Sequence, residues 1–374
     1  MTPRLLCLVA AATLAALAGC ASEGPAKASM GATGRGGQEA GGFNARDPVA
    51  LSSIRERALS TVQEMAASDV PQFRANAVEA ATAAPARLLP VIEQGLRDQN
   101  AGVRAVAAMA VGKARLTRVA DRVRPLLRDS NPYVQSAAIF ALVRCGQDVD
   151  RTPLANLLLR DPSPQVRSQV AFILGELGDV SAIKLLRAAV KEGIPSATPL
   201  QFKLFELQAA EAMIKLGDQR QRPVVRAALF PSSGHELEQV ALACQILGEV
   251  GDRESIHQLV SLSEYKEELL VEVPQGEAKV TRRVQGKGYP PEVQLAIAGA
   301  LATMNHGDGT FIADAYAGHS SELIRSQAAY VYGQIGKLEN WGKLDTLMGD
   351  TYGGVRVAAA AAVLKSAAKS RLAY

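Results

Sequence analysis

The stretch "DPSPQVRSQVAFILGELGD", residues 161–179, decides how the chain is read. Val166, Val170, Ile173, Leu174 and Leu177 recur at helical spacing and form one apolar stripe. Asp161-Pro162-Ser163-Pro164 supplies a turn and a helix start, and Gly178-Asp179 supplies the stop. A second amphipathic segment follows in "SAIKLLRAAVKEG", with Ala182, Ile183, Leu185, Leu186 and Val190 apolar. The unit predicted is a helical hairpin.

Blurred copies of this unit run along most of the chain. The position of Val166 is taken by Phe73, Val103 and Val134 before it, and by Phe205, Gln239, Val293, Ile324 and Val355 after it. Successive spacings are 30, 31, 32, 39, 34, 54, 31 and 31 residues. A hairpin cannot bury its apolar stripe alone, so stacked copies at a near-constant period predict an α-solenoid. The expected fold class is therefore all-α, with about nine helical hairpins over residues 48–374.

The quoted stretch resembles a HEAT repeat of the short kind also found in phycobilisome lyase subunits. The resemblance rests on the Asp-Pro start, the Val-Arg pair and the Gly-Asp stop. In such repeats an Asp six residues before an Arg links successive hairpins, and here it recurs as Asp98/Arg104, Asp161/Arg167 and Asp350/Arg356. The third repeat has Asp129 with Gln135, so an interruption is expected there. Small residues such as Ala137, Ala171 and Ala210 would let neighbouring hairpins approach closely.

Two intervals are long. One carries "KEGIPSATPLQ", a loop extension. The other carries "YKEELLVEVPQGEAKVTRRVQGKGYPP", whose alternation around "PQGE" predicts a β-hairpin insertion at 261–291, with Leu269, Val271 and Val273 opposite Ala278 and Val280.

The N-terminus reads as an address. "MTPRLLCLVAAATLAALAGC" has one arginine, an apolar run too short to span a bilayer comfortably, and small residues ending at Cys20. Leu17-Ala18-Gly19-Cys20 resembles the lipobox of bacterial lipoproteins, which implies removal of residues 1–19 and acylation of Cys20. The alternative is an ordinary secretory signal. Lipid on Cys20 would place the protein at the bacterial cell envelope, at the outer membrane in a diderm cell because Ala21 is not the retention Asp. Residues 20–47, rich in glycine, predict a tether with a reach of roughly 30 Å.

Composition narrows the functional classes. The whole chain carries 41 Lys+Arg against 37 Asp+Glu, a balance that gives no support to nucleic-acid binding. Beyond Cys7 and Cys20 only Cys145 and Cys244 remain. They fall on packed repeat positions three hairpins apart, roughly 30 Å at about 10 Å per helix layer. A disulfide needs Cα atoms within about 7 Å, so two buried free thiols are expected.

Chemistry-bearing motifs are sparse. Deoxyhypusine hydroxylases are HEAT-like proteins whose paired His-Glu motifs hold two irons, and this sequence has a single pair, His235-Glu236. One pair does not make a two-metal site. No phosphate loop, nucleophile elbow or Cys-x-x-Cys is present. The expectation is a non-catalytic chain with no cofactor, no metal site and no small-molecule substrate.

What a solenoid offers is an extended inner surface. Opposite the stripe of the quoted helix lies Phe172, and its equivalents are Met109 and Phe140, with Tyr330 near the far end. Repeats two to four would then expose a Met109–Phe140–Phe172 ladder flanked by Lys113, Arg144 and Glu176. An exposed apolar strip with a polar rim marks a protein- or peptide-binding site. The expected role is a lipid-anchored scaffold or adaptor that binds a protein or peptide partner there. A metal-dependent or lyase-like enzyme and a purely structural envelope component are the alternatives.

Overall fold

A computed structural model describes residues 43–230, 237–264, 266–275, 278–307 and 309–370. The quoted stretch folds as read. Ser163 Oγ accepts from the Val166 amide, Pro164 occupies the first helical turn, and Gly178 ends the helix at φ +77°, a left-handed value that a side chain would resist.

Nine hairpins follow one another among the described residues. The first four pair α1 (Pro48–Ala66) with α2 (Pro71–Ala81), α3 (Pro85–Gly95) with α4 (Ala101–Lys113), α5 (Ala120–Val123) with α6 (Pro132–Arg144), and α7 (Thr152–Arg160) with α8 (Pro164–Leu177). The next three pair α9 (Ala182–Glu192) with α10 (Pro199–Lys215), α11 (Arg222–Ala227) with α12 (Leu237–Glu249), and α13 (Ile256–Glu264) with α14 (Pro291–Thr303). The last two pair α15 (Thr310–Tyr316) with α16 (Glu322–Ile335) and α17 (Trp341–Leu347) with α18 (Gly353–Lys369).

The even-numbered helices form the inner layer, each packed on the next from α2 to α18. The stack does not end there. α18 packs on both α1 and α2, so the solenoid closes into a ring. Arg57 of α1 donates to Asp345 of α17 at 2.7 Å, and Arg356 of α18 donates to Glu64 of α1. Phe73 and Tyr352 meet edge to face across the seam, with centroids 5.2 Å apart. A Cβ on Gly353 would stand 2.7 Å from the Phe73 ring, so the first turn of α18 needs glycine to approach this closely. Phe43, inside the segment read as tether, packs against Gly342.

The arginine ladder explains how inner helices are stitched where they begin. Arg74 donates to both oxygens of Asp98 in the next repeat at 2.7 and 2.8 Å. Arg104 grips Asp129 at 2.8 and 3.1 Å, and Arg325 grips Asp350 at 2.7 and 2.9 Å. The arginine thus reaches the following repeat's aspartate, while its remaining nitrogen binds carbonyls of the turn before its own helix. Asp129, where the interruption was expected, is held by Arg104, and the break that Gln135 makes falls at Asp161, which receives no such arginine among the described residues. Arg167, expected to join the ladder with Asp161, turns instead to the Asp161 and Gly193 carbonyls. At the closure Glu64 takes the place of the aspartate for Arg356.

The expected class needs correcting at two points. "All-α" does not describe the chain, because β1 (Lys266–Gln275) and β2 (Ala278–Gly288) pair antiparallel between α13 and α14. Their register sets Val273 opposite Val280, Val271 opposite Arg282 and Leu269 opposite Val284, one alternation longer than the facing set expected. The inserted segment begins after Glu264 and ends before Pro291, narrower than 261–291. The second point is the closure itself, which replaces an open groove with a ring. The residues of the expected signal peptide and Cys20 lie outside the described residues. No described helix is long and apolar enough to cross a membrane.

Candidate functional site

Four residues after the Phe172 site, near the helix end, six of the nine inner helices carry a charge: Lys113, Arg144, Glu176, Lys215, Glu249 and Lys365 on α4, α6, α8, α10, α12 and α18. Ring closure turns these side chains toward a shared centre. Lys113 from the second hairpin and Lys215 from the fifth both stand over the Phe172 ring of the fourth, at 5.7 and 5.0 Å from its centroid. Such contacts stabilise by about 0.5–2 kcal/mol according to how far the ammonium is desolvated.

The charges there are arranged as a network. Lys215 Nζ lies 2.6 Å from Glu176 and 2.6 Å from Glu211. Burial opposes the Lys215 charge, but Glu211 and Glu176 outweigh it and hold its pKa above the ordinary lysine range. Burial pushes the Glu211 carboxyl up, with Lys215 pulling the other way. Arg144 donates to the Glu176 backbone carbonyl at 3.4 Å. Across the ring, burial raises the Glu79 carboxyl against the pull of Lys113 and Lys365. Lys365 stands 5.5 Å from the Tyr330 ring centroid, and burial followed by repulsion from Lys369 lowers its pKa. Lysine and arginine in a last helical turn also suit the helix dipole, whereas Glu176 and Glu249 sit there against it.

The sequence-predicted ladder is not brought together as a surface. Met109 is 1% exposed and Phe140 is fully buried, whereas Phe172 is half-buried and faces the lysines. The cause is the glycine one helix earlier. A Cβ on Gly112 would lie 2.5 Å from Phe140 Cε1, so the ring fills the space that glycine leaves on α4. Lys113, Arg144 and Glu176 do gather with Phe172. Lys215, Glu211, Glu79 and Lys365 complete the cluster and were missed. Lys215 and Lys365 stand four residues after the Phe172 position, and Glu211 and Glu79 occupy that position itself. This was the available signal, but an open solenoid would have spread them along a groove.

Cys145 and Cys244 are buried and unbridged, as their repeat positions required. Burial raises both thiols, Cys244 to about 12. His235 and Glu236 lie outside the described residues. Among the described residues no three histidine, cysteine or carboxylate groups stand together to hold a metal ion. A second concavity, an open hollow of about 470 Å³ between Val180, Ile183, Leu216 and Asp218, lies on the outer side. Its one buried acid, Asp218, is held strongly ionised by Arg220 and Arg187 and is thereby already satisfied.

Comparison with known proteins agrees with the repeat. Two HEAT-repeat family models match residues 89–159 and 152–181. Human deoxyhypusine hydroxylase in complex with glycerol is 14% identical, with 86% of this chain and 99% of that one covered at a TM-score of 0.34. An engineered protein is 17% identical over 86% and 92% of the two chains, at 0.31. Kap121p bound to Ste12p is 12% identical over 79% of this chain and 39% of that one, at 0.29. No curated protein sequence matches. Similarities this distant carry nothing about activity. The molecule is an α-solenoid of helical hairpins whose two ends meet, with HEAT repeats matched over residues 89–181.

Proposed function

We propose that this protein is a non-catalytic scaffold that holds a segment of a protein or peptide partner at the inner face of its ring. The contact site is centred on Phe172, with Lys113, Arg144 and Glu176 around it and Lys215 and Glu211 behind. The observation that carries the proposal is the half-buried Phe172 between lysines from two other hairpins. A large apolar ring kept at the centre, in reach of charges of both signs, is suited to a partner residue with an apolar body and a polar tip. Export and lipid on Cys20 belong to the same proposal and would hold the ring at the envelope by burying acyl methylenes, each contributing about 0.8 kcal/mol.

The test places a photo-crosslinking amino acid at Phe172 in cells, with the exposed Lys184 of α9 as control. A discrete adduct from Phe172 alone is expected. Equal smears from both positions, or nothing from either, would favour a purely structural envelope component. Cys20→Ser should release the protein from the membrane fraction. Stoichiometric iron or zinc in the purified protein would instead favour the enzymatic reading through His235 and Glu236.

A further inference from the structure

A closed ring with a filled centre has to part somewhere if a partner is to reach its inner face, an argument that rests on the function proposed above. The chain ends are the obvious place, and they are the wrong one. The buried apolar residues fall into two separate clusters. The larger runs unbroken through the terminal seam, from Ile54, Leu59 and Val62 of α1 to Val355, Val363 and Leu364 of α18. The smaller belongs to the arc between α10 and α14, with Val225 on α11, Leu229 just after it, Cys244 and Leu247 on α12, and Leu259 on α13. α10 and α14 divide the two, showing Ala209 and Leu295 to the large cluster and Ala210 and Ile297 to the small one.

The arginine–aspartate stitching is also absent here, as it is at the α6–α8 and α8–α10 junctions. Where Arg104 begins its ladder rung, α10, α12 and α14 carry Glu206, Val240 and Gln294, so among the described residues no arginine–aspartate rung joins these three helices where they begin. The arc is clamped at the opposite mouth instead. Arg187 donates to Asp218 at 2.5 Å, and Arg222 and Arg226 close on Asp252 at 2.8 and 2.6 Å. Bolted along one mouth and unbolted along the other, it has the form of a hinged panel.

We propose that the arc of α11, α12 and α13 is the gate of the ring: it yields as a unit about the Asp218 and Asp252 clamps and opens the inner face, while the terminal seam stays shut. Local opening of a small, separately cored unit below the global unfolding limit is the behaviour expected of such a segment.

The chain carries its own reporters, one cysteine in each cluster. Cys145 is 7% exposed in the large cluster and Cys244 is fully buried in the small one. Static exposure therefore predicts faster alkylation of Cys145, and the gate predicts the reverse. The experiment incubates the full chain with iodoacetamide under native conditions and assigns the label to each cysteine by peptide mass spectrometry. Cys244 should react at least about tenfold faster than Cys145, and amide exchange in α12 and α13 should outrun that in α1 and α18. Equal rates at the two cysteines, or Cys145 first, would overturn the gate. Because no partner is present in the tube, that failure is distinct from a failure to crosslink at Phe172.

Discussion

Replacing Phe140 distinguishes a core residue from a binding residue and tests the glycine beneath it. Phe140→Ala removes a fully buried ring from the large cluster and should cost about 3–5 kcal/mol. Gly112→Ala puts a methyl 2.5 and 2.6 Å from two Phe140 ring carbons and 3.0 Å from the Ala141 Cα. Overpacking of this kind costs about 1–3 kcal/mol, offset by up to ~1 kcal/mol from the better helix propensity of alanine. With the ring gone, the methyl meets chiefly the Ala141 backbone, and the propensity gain offsets most of what remains. The double variant should therefore be less destabilised than the sum of the two by about 1–2 kcal/mol, well beyond the ~0.5 kcal/mol tolerated for independent sites. The assay is urea unfolding followed by fluorescence of Trp341, the single tryptophan, which is buried in the same cluster as Phe140. Additivity, or a Phe140→Ala variant as stable as the parent, would refute the packing and return Phe140 to the surface.

Three further outcomes are expected. Asp98→Ala strips a bidentate arginine of its partner at a largely buried position and should cost about 2–3 kcal/mol, whereas Asp121→Ala, whose side chain is 92% exposed, should be nearly silent; chemical denaturation checks both. Burial opposes the Asp98 charge, but Arg74 and the Asn100 amide outweigh it and lower its pKa, so the native state binds fewer protons than the unfolded one. The stability Asp98 contributes is present above the unfolded aspartate value of about 3.9 and is lost as pH falls through its lowered native value, which Asp98→Ala should abolish in a pH series. Glu79 has the opposite sign, since burial raises its native pKa: Glu79→Gln should stabilise the ring at neutral pH, with the gain disappearing as pH falls to the unfolded glutamate range near about 4.3, and a loss at neutral pH would sink the argument.

The terminal seam also clarifies how the first and last described hairpins do without the polar outer faces that the end hairpins of open solenoids need. Ala58 and Val62 of α1 and Val363 of α18 would be exposed apolar residues on the ends of an open stack. Closure buries them against each other. The ion pairs Arg57–Asp345 and Arg356–Glu64 sit on the exposed margin of that contact and set its register more than its strength.

What the sequence determined by itself is the local unit and its repetition. Hydrophobic spacing, proline and glycine punctuation and the recurrence near 31 residues are local signals, and they were enough for the hairpins, the buried thiols and the missing rung at Gln135. The tertiary structure alone decided the closure. A ring of nine hairpins turns by about 40° per hairpin on average, and that rotation is the sum of small packing choices, such as Phe140 over Gly112, that leave no periodic trace. The candidate site follows the closure. Lys113 and Lys215 are 102 residues apart in the chain and look like separate helix-ending cations, and only the curvature brings both onto Phe172.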